Sequence, residues 1–187
     1  RRPIALSAVG TVLVLAFACV LFTLTVLAIQ PGLLPDTLAA FWEDKLLIPL
    51  NIFPVCVVLI VCYCLTGNAF SAAGIGGLVV NLLSYINLVK TDCRNDPFVP
   101  ADCALLREAA NAVGDYQLDL HWGTLAAILL LSAVCFALAY WSRARKPRWY
   151  VRSIMALVVL AVFGASMVKV YPSGDIYDRR GVGTVKG

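Results

Sequence analysis

The residues able to do chemistry in this chain are few, and most of them gather between Lys90 and Asp119. That stretch, KTDCRNDPFVPADCALLREAANAVGDYQLD, holds six of the 11 acidic residues, two of the seven cysteines and the cations Lys90, Arg94 and Arg107. Guanidinium and ammonium groups match a phosphate oxyanion, so these three cations are candidate contacts for a lipid headgroup. The competing reading of each is a solvated or locally paired charge. Cys93 and Cys103 stand ten positions apart across a loop with two prolines. A disulfide there would contribute roughly 2 to 3 kcal/mol by loop closure, and two free thiols are the alternative.

The other five cysteines, Cys19, Cys56, Cys62, Cys64 and Cys135, lie in apolar runs. There a thiol behaves as a small hydrophobe, and Cys62 and Cys64 are too close together for a CxxC motif. The single histidine, His121, precedes Trp122 and has no ligand-type residues at metal-binding spacing, so it reads as an interface residue. No Ser, His and Asp arrangement for nucleophilic attack is legible. The chain is therefore expected to contain no catalytic residue, cofactor or metal site of its own.

The elements that must position these residues are membrane spans. Sixty-one per cent hydrophobic residues, 14% charged residues and a mean hydropathy of +0.86 do not fit a water-exposed surface. The pattern predicts an all-α membrane protein with five transmembrane helices at about 4–29, 48–65, 70–89, 122–141 and 153–170. The first apolar run is too long for a cleaved signal peptide. Residues 30–47 form a connector with Pro31, Gly32 and Pro35 as breakers, then an amphipathic patch around Phe41 to Lys45. Pro54 is expected to bend the second span, and Thr66-Gly67-Asn68 to turn tightly into the third.

The third span carries Ala72, Ala73, Gly74, Gly76 and Gly77, small residues that let helices approach closely in lipid. Its GIGG lacks the strand, spacing and lysine of a phosphate loop, so helix packing is the expected role. The spans hold no mid-membrane charge, which disfavours an ion pathway. Their notable amides are Asn51, Asn81 and Asn87. Interhelical hydrogen bonding is the expected role of all three, with Asn51 and Asn87 also candidates for a lipid-headgroup site near the outer face.

Charge sets the expected sidedness. With the N-terminus cytoplasmic, Arg1, Arg2, Arg143, Arg145, Lys146, Arg148 and Arg152 fall inside and all 11 carboxylates fall outside, as the positive-inside bias requires. These cations cluster at span ends rather than along one face, which favours membrane orientation over a nucleic-acid partner. The Lys90–Asp119 stretch is then extracellular. Within it, Asp102 can start a helix, Leu105, Leu106, Ala109, Ala112 and Val113 make an apolar stripe, and Gly114 can end it. The result is an amphipathic interfacial helix at about 101–113, between the third and fourth spans. Residues 172–187 read as a polar extracellular linker.

From Asn51 to Trp122 the order of features resembles the membrane domain of lipoteichoic acid synthase-like phosphoglycerol transferases. The resemblance rests on Asn51 and Pro54 opening a span, the turn Leu65-Thr66-Gly67, and Asn87 with Lys90 closing the next. It continues through Asp96-Pro97-Phe98, Pro100-x-Asp102, Leu105-Leu106-Arg107-Glu108-Ala109 and Tyr116. Tyr177-Asp178-Arg179-Arg180-Gly181 resembles the junction into that family's extracellular domain.

The resemblance implies a bacterial plasma-membrane anchor with a cytoplasmic N-terminus and an extracellular C-terminus. It also implies a sulfatase-like catalytic domain beyond this chain, with a catalytic Thr and a divalent metal, usually manganese. That domain would use phosphatidylglycerol to build a polyglycerolphosphate polymer, and the present chain alone would be inactive. Cys93 and Cys103 are not part of the family pattern. The alternatives are the membrane domain of a phosphoethanolamine transferase of the same superfamily and, in another class, a non-enzymatic membrane scaffold or small transporter.

Overall fold

A computed structural model describes residues 4–30, 33–43, 47–94, 121–144 and 148–169. The expected interfacial helix at 101–113, Arg107, Cys103 and the linker 172–187 lie outside the described residues. What is described is helical apart from one short strand pair. In chain order the elements are β1 (Ile4–Leu6), α1 (Ala8–Ile29), α2 (Leu33–Glu43), α3 (Leu47–Thr66), α4 (Ala69–Arg94), α5 (Trp122–Trp141), β2 (Ser142–Ala144) and α6 (Trp149–Lys169).

Among the described residues, four helices are long and apolar enough to cross a membrane: Ala8–Ile29, Ile48–Thr66, Ala69–Asp92 and Trp122–Trp141. At 1.5 Å of rise per residue, about 20 residues match a hydrocarbon core of about 30 Å. Helix α6 contains a shorter apolar stretch, Arg152–Ser166. Their outward faces suit lipid better than water, since Phe17 is 69% exposed and Leu130 is 68% exposed. Several serine and threonine hydroxyls within these helices donate to a carbonyl of their own helix, as hydrocarbon favours. The Thr23 hydroxyl donates to the Cys19 carbonyl at 2.7 Å, and the Ser166 hydroxyl donates to the Val162 carbonyl at 2.8 Å.

Helix α4 is the centre of the bundle and packs against α1, α3 and α5. Its small residues explain how three neighbours reach it. A Cβ added at Gly76 would lie 2.7 Å from Leu59 Cδ2 of α3, one added at Gly77 would overlap the Phe22 ring of α1, and one at Gly74 would sit 3.1 Å from the Phe136 ring of α5. The GIGG run is thus a packing surface in which each glycine admits a different helix. Phe22 and Leu59 are buried in one cluster with Ala18, Cys19, Val55 and Ala73. Helix α6 stands outside this core against α3, with the rings of Phe53 and Phe163 5.9 Å apart.

The expected Thr66-Gly67-Asn68 turn is present. Gly67 has φ 70°, a conformation that favours glycine, and its N–H donates to the Tyr63 carbonyl at 2.7 Å. Asn68 then starts α4, its Oδ1 accepting from the Phe70 N–H at 3.0 Å. Helix α3 runs from Leu47 to Thr66 with Pro54 inside it.

Several boundaries differ from those expected. The first helix begins at Ala8, because Ser7 caps it by accepting from the Gly10 N–H at 3.1 Å. Residues Ile4–Leu6, read as part of the first span, instead pair in parallel with Ser142–Ala144. Helix α2 starts at Leu33 and takes Pro35 into its first turn, where a missing N–H costs nothing. The third span was expected to close at Val89, yet α4 continues to Arg94. Nothing in Lys90-Thr91-Asp92-Cys93 breaks a helix, and the Thr91 hydroxyl bonds the Asn87 carbonyl at 2.8 Å. The last helix starts at Trp149, four residues before the expected Ser153.

Candidate functional site

The two ends of the bundle are chemically distinct. At one end, the Asn68 side chain of the α3–α4 turn donates to the Ser142 hydroxyl at 3.2 Å and to the Ala139 carbonyl at 3.5 Å. That end gathers the start of α1, the turn, the exit of α5 and the β1–β2 pair. At the other end, the exit of α4 meets the entry of α5: His121 Nε2 lies 2.9 Å from Asp92 Oδ2. Both side chains are substantially exposed, at 45% and 43%. Even a fully charged exposed pair is worth only about 0.2 to 1 kcal/mol, so this contact aligns two helix ends more than it stabilises the bundle.

Of the residues singled out for phosphate contact, Lys90 and Arg94 lie in the last turns of α4, and Lys90 is half-buried and engaged in an interaction. Asn87 lies one turn earlier and Asn51 near the start of α3, both half-buried and partnered. Because α3 and α4 form a helical hairpin, all four belong to the His121 end. The side chains of Cys93 and Arg94 lie outside the described set, as do Cys103 and Arg107, so the structure neither joins nor separates the two cysteines. Cys19 sits in the core cluster with Cys56 and Cys135 packed against it, and Cys62 and Cys64 are buried, so these thiols fill space as small apolar groups.

A groove opens on the same half of the bundle. It has a volume of about 370 Å³ and lies between the last turns of α1 (Thr25, Ala28, Ile29) and the first turns of α5 (Gly123, Thr124, Ala127). Asn81 of α4 also lines it. Among the lining residues there is no charge, and the walls are mainly hydrocarbon. The volume is within the usual range for small-molecule sites.

Asn81 corrects an expectation. Its amide was expected to bridge helices, but Nδ2 donates to the Gly77 carbonyl of its own helix at 2.8 Å. Its Oδ1 is buried with no partner among the described residues, and the whole residue is 2% exposed. Turning the amide over would set Oδ1 against the Gly77 carbonyl oxygen, so the hydrogen bond fixes which atom is left over. One turn further along α4, Tyr85 is 6% exposed and its hydroxyl is likewise unpartnered. The interhelical bond at this level comes from Ser84, whose hydroxyl donates to the Val26 carbonyl of α1 at 3.0 Å.

Sequence reasoning noticed Asn81 but not its missing partner, and it did not connect His121 with Asp92. The signal for the second was present in a weak form, an acid and an imidazole at the facing ends of two spans. No family model, no characterised protein and no solved structure matches the chain.

Proposed function

We propose that this chain is the membrane domain of a cell-envelope phosphoglycerol transferase of the lipoteichoic acid synthase-like kind, in a bacterial plasma membrane. Its role is to anchor and orient an extracellular sulfatase-like catalytic domain that draws on phosphatidylglycerol and holds the divalent metal. The reading rests on the ordered motifs between Asn51 and Trp122. The observation that supports it is the 2.9 Å contact of His121 with Asp92, which brings both ends of the polar 95–120 stretch to one end of the bundle. Lys90, Asn87 and Asn51 share that end. In this reading the stretch serves as a platform for the catalytic domain rather than as an active site.

In this reading the His121 end is extracellular, the Asn68 turn is cytoplasmic and α6 is the fifth span. An alkaline phosphatase fused after Lys169 should then be active in cells, and one fused within the Asn68 turn should be inactive. The reverse pattern would invert the topology. The function itself is tested with the full-length protein in phosphatidylglycerol vesicles. Changing Arg94 and Arg107 together to Gln should lower polymer formation about tenfold or more, since charge-assisted contacts to phosphate contribute about 1.5 to 3 kcal/mol each. Unchanged turnover would remove the phosphate role, and absence of any glycerophosphate transfer by the unaltered protein would remove the reading as a whole.

A further inference from the structure

The groove between α1 and α5 has walls of hydrocarbon and no charged group among its lining residues, and at its α4 side stands Asn81, whose buried Oδ1 is satisfied by no donor among the described residues. In a membrane such an acceptor is costly unless something donates to it, since hydrocarbon offers no hydrogen bond. We propose that this groove binds an uncharged lipid bearing a free hydroxyl, with its chain along α1 and α5 and its O–H donated to Asn81 Oδ1.

The chemistry restricts the occupant. Anionic and zwitterionic headgroups lack a counter-charge in the groove, and ester carbonyls present acceptors to an acceptor. A hydroxyl on an apolar body supplies the one donor required and covers the Thr25, Ala28, Ala127 and Ile128 walls with hydrocarbon. Water is the competing occupant. It needs two to four polar partners, and besides Asn81 Oδ1 the lining offers the Thr124 hydroxyl and that of Thr25, which donates to the Phe22 carbonyl at 3.0 Å and can still accept.

Less than 1 Å² of Oδ1 is accessible, so the hydroxyl reaches it when the α5 wall eases outward. That wall is turned largely to lipid, with 11% of the apolar window of α5 buried against 56% for α4. The site stands on Asn81 and the groove alone and does not depend on the transferase reading.

The test uses a diazirine-bearing oleyl alcohol and its methyl ether, each incorporated into phosphatidylcholine vesicles containing the whole chain. At low probe concentration the alcohol should label the Ala28 and Ala127 segments about tenfold more than the ether, a ratio equal to about 1.4 kcal/mol. Asn81→Leu should abolish that preference while leaving the ether's labelling unchanged. Gly123→Phe should reduce labelling by both probes; an added Cβ there meets no atom within 4 Å, and an unchanged melting temperature checks that the ring is accommodated. Equal labelling by alcohol and ether in the unaltered protein would overturn the proposal and assign the Asn81 oxygen to water. Retention of the preference in Asn81→Leu would overturn it as well.

Discussion

Replacing Gly77 with Val is expected to destabilise the bundle by about 3 kcal/mol, the upper part of the usual range for overpacking a close-packed interior. A Cβ at this position falls within the contact distance of three carbons of the Phe22 ring. The ring has nowhere to move, because Phe22 is 1% exposed and is packed in a cluster with Leu59 and Ala73. In lipid the cost is felt in helix association, where close packing rather than water exclusion holds the helices together. Thermal unfolding of the detergent-solubilised chain measures it. Gly123→Ala, at a site open to 4 Å, should leave the midpoint unchanged. Phe22→Leu should make the Gly77 substitution markedly less costly in the double variant, the coupling expected of residues in contact. A Gly77→Val protein that melts with the unaltered one would show that α1 does not approach α4 at this glycine.

Asn68→Ala is expected to cost about 2 kcal/mol. The side chain does two separable things. Its Oδ1 caps α4 through the Phe70 N–H, and its Nδ2 ties the turn to Ser142 and Ala139 at the exit of α5. Loss of an N-cap costs typically about 1 kcal/mol, and loss of a net hydrogen bond about another. Asn68→Ser keeps an acceptor for the cap but has no amide to reach Ser142, so it should recover roughly half the loss in the same unfolding assay. In a Ser142→Ala background the Asn68→Ala cost should shrink. If Asn68→Ser and Asn68→Ala are equally destabilising, the cap contributes nothing and the tie to α5 carries the whole effect.

The spans and the hairpin were legible because their determinants are local. An uncharged run from Ile4 to Ile29, the Thr66-Gly67-Asn68 turn and the Gly-rich run in the third span each announce themselves within a few residues. The boundaries were less legible where a cap or a pairing set them. Ser7 stops the first helix short of Ile4, and helix propagation carries α4 past the last apolar residue to Arg94. Of the candidate site, Lys90, Asn87 and Asn51 lie towards one end of the bundle, where the order of the spans alone puts them. The groove was invisible, since its walls come from residues about a hundred positions apart.

By itself the sequence determined that the chain is built from membrane-length apolar helices, where the tight turn lies, and that the small residues of the third span are a packing face. Hydropathy, turn chemistry and side-chain size are properties of single residues and short windows, and lipid enforces them strictly. Only the tertiary structure decided which helix each glycine admits, that Ile4–Leu6 pairs with Ser142–Ala144, that His121 meets Asp92, and that Asn81 spends its donor on its own helix. Those outcomes depend on the fit of surfaces far apart in the chain. Almost every surface in a membrane bundle is apolar, so composition cannot rank the partners; shape and the few buried polar atoms do.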